Sequence, residues 1–316
     1  MQGLTDIAGI RVGHASDFEG LTGCTVVLCC AGAAAGVDLR GGASGSEELA
    51  TLDPGHVTGQ VHAIVLAGGS AYGLEAASGV RRFLEQKGVG FPTGPAVVPI
   101  VPCAILYDLG IGKSSARPTR EMGEAAAAAA TSGAVAEGSV GAGTGATVGK
   151  LFGMKQAMKG GLGGFTVALP GGVLVASLVA VNAFGDVRDP ATGKLIAGAR
   201  RAPDSRELAD TEARMKEGAT GGFARANTTL AVVATNARLT KVECTRLAQM
   251  AGLGVARTIH PVNTMFDGDA VFALSLGEAK ADLNTLGVAA AEAVAMAVVR
   301  AVKSAKTMGG VPGLAR

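Results

Sequence analysis

The chain has 316 residues, of which 48% are hydrophobic and 3% aromatic, and it contains 49 glycines and no tryptophan. Its net charge of +2 comes from interspersed acidic and basic residues, without an acidic tail or a basic stripe with interleaved aromatics, so nucleic acid is not expected as a partner. A chain of this length is able to form one α/β domain, and the composition predicts a core of closely packed small aliphatic side chains.

The N-terminus and the cysteines favour a soluble cytoplasmic protein that does not enter a membrane. Residues 1–7 lack a basic region followed by an apolar run, so no signal peptide is visible. The apolar helix predicted near residues 286–299 is interrupted by Glu292 and is shorter than a bilayer span. The cysteines form no C-x-x-C pair, have no histidine at zinc-ligand spacing, and are expected to be reduced core thiols: Cys24, Cys29, Cys30, Cys103 and Cys244.

Strands and helices alternate in the first half of the chain. The patterns predict strands over 6–14, 23–30 and 61–67, an apolar strand region over 97–107, and helices over 74–87 and 119–131. A glycine-rich loop over 37–46 follows a short strand, and it either lines a pocket or simply turns. His14 has no carboxylate near it in sequence, so we interpret it as a structural hydrogen-bonding residue. Tyr107 ends the apolar region beside Asp108.

Residues 138–150 form a second glycine-rich loop, which ends at Lys150. A Walker phosphate loop is excluded because position 144 is threonine and Leu151 follows the lysine. The run Gly141-x-Gly143-x-x-Ala146 matches a dinucleotide fingerprint only loosely, without a clear strand before it or an acidic residue about 20 positions later. We interpret the loop as backbone amides and one cation gathered where an anion or oxyanion binds.

The second half of the chain continues the alternation. Strands are predicted over 164–169, 172–182 and 228–235, and helices over 203–217, 240–259 and 281–304. Thr240 and Glu243 have the spacing of a capping box at the start of the second of these helices. Asn182 ends a buried strand, where its amide either donates to a carbonyl oxygen or forms a turn.

The Asn227–Thr228 bond lies between a glycine-loosened approach over 218–222 and a β-like segment. Self-cleavage there would leave a threonine whose hydroxyl and α-amine are a nucleophile and a possible general base, since a free α-amine has a pKa of about 7.7–8.0. Thr228 is therefore the candidate catalytic residue. Taken alone, Asn-Thr-Thr is more typical of a turn that leads into an ordinary strand.

Asp267 and Asp269 flank a single glycine immediately before a predicted strand. In an extended chain this spacing places both carboxylates on one face, where like charges raise one pKa. The motif indicates either a proton-handling pair or a solvated turn.

These segments together resemble the self-processing N-terminal-nucleophile hydrolases that include L-aminopeptidase/D-esterase, the β-peptidyl aminopeptidases and the nylon-oligomer (6-aminohexanoate oligomer) endohydrolase. The resemblance covers nearly the whole chain, and Thr228 with Asp267-Gly-Asp269 is similar to the nylon-oligomer variant. The motifs that carry it occur in family order: Gly9-Ile-Arg-Val-Gly-His14, Thr22-Gly-Cys-Thr-Val, Asp38-Leu-Arg-Gly-Gly, Leu66-Ala-Gly-Gly-Ser-Ala-Tyr-Gly-Leu-Glu-Ala, Asn227-Thr-Thr and Asp267-Gly-Asp269.

The resemblance implies an αββα four-layer sandwich, formed as a single domain over 1–316 and processed into 1–227 and 228–316. It implies homotetramers of processed protomers, a small peptide or amide substrate, and no metal or organic cofactor. Thr228 would be the nucleophile, Asp267 and Asp269 would orient and proton-couple its amine and hydroxyl, and Lys150 would favour negative charge nearby. The oxyanion donors would be two further residues, Asn182 and Tyr107.

Two other functions stay open at this point. The same self-exposed threonine also serves acyl transfer to an amine, as in ornithine acetyltransferase, and the choice depends on whether an amine outcompetes water. A non-catalytic glycine-rich ligand-binding protein would instead keep its chain intact and tolerate replacement of Thr228.

Overall fold

The computed structural model describes residues 3–220 and 227–315, so the last part of the predicted 218–222 approach lies outside the described residues. The helices are α1 (Glu75–Gln86), α2 (Arg120–Ala128), α3 (Thr211–Lys216), α4 (Lys241–Ala256) and α5 (Leu283–Lys303). The strands are β1 (Arg11–Asp17), β2 (Thr22–Leu39), β3 (Ser46–Glu47), β4 (Val61–Ala67), β5 (Phe91–Pro92), β6 (Val97–Val98), β7 (Cys103–Ile105), β8 (Thr147–Val148), β9 (Met158–Lys159), β10 (Gly161–Leu169), β11 (Val173–Asn182), β12 (Asp186–Arg188), β13 (Leu195–Ala197), β14 (Thr228–Ala237), β15 (Ile259–His260) and β16 (Ala270–Ala279).

The long strand β2 belongs to two sheets. Its first part pairs with β1 and β4, and its last part pairs with β16. The register against β4 shifts between Leu28 and Ala33, and Gly32 there has φ +87°. The sequence predicted a strand that ends at residue 30 and a separate short strand before the 37–46 loop. In the structure these two strands are one continuous strand. Gly36 within it allows a close approach of α4, because a Cβ at Gly36 would lie 2.2 Å from the Thr245 nitrogen.

Two sheets face each other across an apolar layer. The first contains β1, the start of β2, β4, β7 and β3, and the second runs β10-β11-β14-β16-β2; the long strand β2 joins them into one hydrogen-bonded assembly of nine strands among the described residues. Within the second sheet, β14 is antiparallel to β11 and parallel to β16. The apolar layer is formed by side chains from both sheets, such as Ile64, Leu66, Leu178, Val232 and Phe272.

Helices cover the outer face of each sheet. Buried residues of α4 and α5 form a cluster with β11 and β14, and those of α1 and α2 form another with β2 and β4. The small-residue core brings backbones together: a Cβ at Gly254 would lie 2.2 Å from the Ala291 carbonyl oxygen. The layers are therefore helix, sheet, sheet and helix, and the predicted αββα sandwich is confirmed.

Two sequence-based expectations about helices are wrong. The apolar helix near residues 286–299 was expected to be shorter than a bilayer span. It is α5, which by length and composition is long enough to cross a membrane, although most of it is buried inside the protein, as in a core helix. The charged helix predicted over 203–217 is only α3, which begins after the Asp210 N-cap. Residues 200 and 208 instead form an isolated bridge, with Pro203 between them.

Candidate active site

The predicted catalytic residues meet at one end of the second sheet. The parallel strands β14 and β16 begin there, and their approaches pair through an isolated bridge between Asn227 and Asp267. The antiparallel strand β11 ends there, so that Asn182 lies directly opposite Thr228. The fold thus gathers residues that are far apart in sequence.

Thr228 is buried, with 2% of its surface exposed. Its hydroxyl donates a hydrogen bond to the carbonyl oxygen of Asn227. That oxygen also accepts a 2.7 Å hydrogen bond from the Gly268 N–H. Asn227 is held further by hydrogen bonds from its main-chain and side-chain nitrogens to the Phe266 carbonyl oxygen, at 3.0 and 3.1 Å. The nucleophile is therefore beside the carbonyl of the bond predicted to break.

Gly268 also belongs to the site, although the sequence motif indicated only the two aspartates. A Cβ at this position would lie 2.9 Å from the Thr228 hydroxyl oxygen and 2.7 Å from the Ala43 carbonyl oxygen. Any larger residue would therefore crowd the nucleophile. The only sequence signal was the glycine itself, between two aspartates.

Asp269 receives two main-chain hydrogen bonds. Its Oδ1 accepts from the Thr229 N–H at 2.6 Å and its Oδ2 from the Asn263 N–H at 3.1 Å. Burial raises the pKa of Asp269 to about 7, with a further upward contribution from the charge of Asp267. The carboxyl group of Asp269 therefore changes charge near neutral pH. It does so while hydrogen bonded to Thr229, the residue that follows the nucleophile.

Asp267 has its own set of donors. The Phe184 N–H donates to its Oδ1 at 3.1 Å, and the hydroxyl and N–H of Thr264 donate to its Oδ2 at 2.6 and 3.2 Å. Burial raises the pKa of Asp267, while these hydrogen bonds and the charge of Lys150 oppose the rise. The two carboxyl groups are buried and interact, so the motif is not a solvated turn; its proton-handling role stays a prediction.

Lys150 is buried and contacts Asn182 twice. Its Nζ donates to the main-chain oxygen of Asn182 at 2.8 Å and to the side-chain oxygen at 2.9 Å. Burial lowers the pKa of Lys150 to about 7, and the charge of Asp267 offsets part of that decrease. Lys150 therefore binds the last residue of β11 directly, a contact that the sequence spacing did not predict.

Asn182 is fully buried, and both ends of its amide are bonded. Its Oδ1 accepts from Lys150 and, at 3.0 Å, from the Thr147 N–H. Its Nδ2 donates to the main-chain oxygen of Tyr107 at 2.9 Å. Tyr107 thus contacts Asn182 through its main-chain oxygen, while the residue as a whole is 37% exposed. The oxyanion role of the phenol stays a prediction.

His14 lies apart from these catalytic candidates. Its Nδ1 is 3.0 Å from the Thr25 hydroxyl oxygen, and burial lowers the pKa of His14 to about 4. A histidine that stays neutral and hydrogen bonded fits the structural interpretation.

Sequence comparison gives this chain a family. It matches peptidase family S58 over residues 2–316. An uncharacterized aminopeptidase of Mycobacterium leprae is 41% identical, over 99% of this chain and 93% of the relative. The 6-aminohexanoate-oligomer endohydrolase of a Kocuria species is 32% identical, over 94% of this chain and 85% of the relative.

Solved structures agree with this match. A beta-aminopeptidase of a Burkholderia species has 25% identity and a TM-score of 0.71, over 99% of this chain and 91% of its own. The L-aminopeptidase D-Ala-esterase/amidase of Ochrobactrum anthropi, a variant of the N-terminal-nucleophile hydrolase fold, has 20% identity and a TM-score of 0.75, over 98% and 88%. Together, these matches show that the chain belongs to peptidase family S58 and is a hydrolase of peptide or other amide bonds.

Proposed function

We propose that this chain is a self-cleaving N-terminal threonine hydrolase, in which Thr228 first cuts the bond to Asn227 and then attacks amide substrates. One observation carries the proposal. The buried Thr228 hydroxyl is hydrogen bonded to the Asn227 carbonyl oxygen, which also accepts the Gly268 N–H. The nucleophile, its target and a donor for the developing negative charge are already together.

The self-cleavage step is an acyl shift from nitrogen to oxygen. The Thr228 oxygen forms a bond to the Asn227 carbonyl carbon, the carbon–nitrogen bond breaks, and the hydroxyl proton passes to the leaving nitrogen. Water then hydrolyses the ester, which gives a carboxylate on Asn227 and restores the hydroxyl. During attack, the Gly268 N–H stabilises the oxyanion.

The freed α-amine then acts on substrate. A free α-amine has an ordinary pKa of about 7.7–8.0, so part of the Thr228 amine is neutral near pH 7. The neutral amine is able to take the proton from the Thr228 hydroxyl. Asp269 is bonded to the neighbouring Thr229 N–H, and Asp267 lies beside it in the motif. We assign the pair to orienting the amine and adjusting its protonation. Because Thr228 supplies both nucleophile and base, the proposed route uses no cofactor.

For the substrate, we propose amides with a small or linear, uncharged acyl part and a free amino end. Two relatives support this class, since one is named for 6-aminohexanoate oligomers and another is a beta-aminopeptidase. Glycine and alanine dominate the loops over 41–46, 68–73 and 141–149. We further propose that processed protomers form homotetramers in the cytoplasm and that residues 1–316 are one domain.

Intact-mass measurement under denaturing conditions tests the proposal. At 31.1 kDa for 316 residues, about 98 Da each, the products 1–227 and 228–316 weigh about 22 and about 9 kDa. Thr228→Ala is expected to stay full-length and inactive, while Thr228→Ser keeps a hydroxyl and is expected to retain cleavage. Full-length wild type after prolonged incubation, or an active Thr228→Ala, would contradict the proposal.

A further inference from the structure

We propose that Lys159 and Asp108 are positioning residues that fix the side-chain amide of Asn182 beside the nucleophile. The inference rests on the proposed function of Thr228, but it concerns residues that do not contact the reacting atoms. Each of the two holds a backbone segment, and those segments bind opposite ends of the Asn182 amide.

Lys159 is a fully buried lysine in β9. Its Nζ donates to the carbonyl oxygens of Thr144 and Ala146, both at 2.7 Å. It thus holds both residues that flank Gly145 in the glycine-rich loop. Strand β8 follows at once, and the N–H of its first residue, Thr147, is a donor to the Asn182 Oδ1. The lysine therefore fixes the segment that presents this donor.

Asp108 is buried against the same loop. Its carboxylate accepts hydrogen bonds from the Thr22 hydroxyl and the Gly69 N–H, both at 2.7 Å. These bonds anchor the backbone at residues 107–108, and the Tyr107 carbonyl oxygen is the acceptor for the Asn182 Nδ2.

Gly145 brings the two charged residues into one unit. A Cβ at Gly145 would lie 2.6 Å from the Asp108 Oδ2, so the loop packs directly on the carboxylate. Across this loop, the charge of Asp108 raises the pKa of Lys159, although burial is the larger effect and lowers that pKa to about 7. Burying two ionisable side chains this deeply has a large desolvation cost, which a positioning function would explain.

The consequence is a defined orientation of the Asn182 amide. Three donors face its oxygen, namely the Lys150 Nζ and the N–H and hydroxyl of Thr147, and one acceptor, the Tyr107 carbonyl, faces its nitrogen. A flipped amide would lose these bonds. One Nδ2 hydrogen is used on Tyr107. The inference assigns the second to an oxygen atom at the nucleophile, because Asn182 lies opposite Thr228 in the strand pairing.

Kinetics of processed enzyme with a double-mutant cycle test the inference. Lys159→Met is expected to reduce kcat by roughly 10- to 100-fold, the scale of a small misplacement of a catalytic group, with KM changed by less than about threefold. If Lys159 acts through Asn182, the loss is largely absent when Asn182 is already alanine. Asp108→Asn removes the charge with little change in shape, and it is expected to lower kcat in the same way, with the loss again largely absent when Asn182 is alanine. This second variant tests the inference when Lys159→Met gives no folded protein.

The matched control is Lys241→Met. The Lys241 Nζ also binds backbone carbonyl oxygens, those of Thr51, Asp53 and Thr58 at 2.6–2.9 Å, but away from the candidate site. This control is expected to lower the melting temperature without reducing kcat. Fully additive losses for Lys159 and Asn182, or a near-wild-type kcat in Asp108→Asn, would overturn the positioning function. An active Thr228→Ala would instead overturn the proposed nucleophile.

Discussion

The main-chain N–H of Gly268 donates a 2.7 Å hydrogen bond to the carbonyl oxygen of Asn227. That oxygen would carry the negative charge once Thr228 attacks. A donor already in place needs little rearrangement during the reaction, which is why such groups stabilise transition states strongly. After cleavage, a substrate carbonyl that occupies the former position of Asn227 would meet the same donor.

Gly268→Ala is expected to slow self-cleavage by about 10²-fold, comparable to the loss of one oxyanion donor. The added methyl would lie within 3 Å of both the Thr228 hydroxyl oxygen and the Ala43 carbonyl oxygen, so the N–H and the hydroxyl must shift. The measurement is the rate at which freshly made precursor splits on denaturing gels. Gly59→Ala is the control, because its Cβ would meet nothing within 4 Å. Equal rates in the two variants would contradict this function of Gly268.

Asp269→Asn is expected to retain the fold and to slow amide hydrolysis by about 10²-fold or more, the usual scale for a lost acid or base. The substitution removes the charge and replaces one of the oxygens that accept from Thr229 and Asn263. Circular dichroism and oligomer size monitor the fold, and turnover monitors the site. Asp204→Asn, on the exposed surface, is the control. Near-wild-type turnover would return the aspartate pair to a turn-forming function.

Asp269 also predicts a pH dependence of stability, best measured in the uncleaved Thr228→Ala background. Its pKa rises from an ordinary 3.8 to about 7 on folding, so folded protein keeps a proton that the unfolded chain releases. The contribution of Asp269 to the free energy of unfolding is therefore complete below pH 3.8, the unfolded pKa, and is lost as the pH rises through about 7, the folded pKa. Adding Asp269→Asn is therefore expected to raise the melting temperature, relative to the background, more at about pH 7.5 than at about pH 5. A difference that does not change with pH would refute this assignment.

Substrate preference is the fourth prediction. Amides of alanine, β-alanine and 6-aminohexanoate are expected to turn over faster than phenylalanine amides and faster than their own N-acetylated forms. One reason is the loop over 41–46, rich in glycine and alanine, which packs against the aspartate motif: a Cβ at Gly41 would lie 2.2 Å from the Asp267 carbonyl oxygen. Side-by-side assays measure kcat/KM. Fastest turnover of acetylated or bulky aromatic amides would reject the proposed substrate class and leave the threonine mechanism intact.

The sequence predicted the regular elements well where periodicity was clear. The strand over 61–67 is β4 to the residue, and the capping box of Thr240 and Glu243 begins α4 as expected. It failed in β2, because alanines and glycines over 31–36 carry little alternation between apolar and polar side chains. The pairing of Ala33 with β4 and of residues 34–39 with β16 shows that this stretch is extended.

The site was predicted as a set of residues but not as a network. Spacing does not reveal that Asn182 lies opposite Thr228, since strand register depends on long-range pairing. Nor does composition distinguish Lys159, fully buried, from a surface lysine, because burial is set by the elements packed around it. Family resemblance indicated Lys150 and Asn182, while their direct contact required the fold.

The position of β14 and β16 has a consequence for the two products of cleavage. These strands are neighbours inside the second sheet, flanked by β11 on one side and β2 on the other. Segment 228–316 made alone would therefore expose two unpaired strand edges, and segment 1–227 would lack the middle of a sheet. We expect the halves to stay associated after the cut and to unfold together. Such interleaving favours a chain that is synthesised whole, folded and then cut over one assembled from separately made parts.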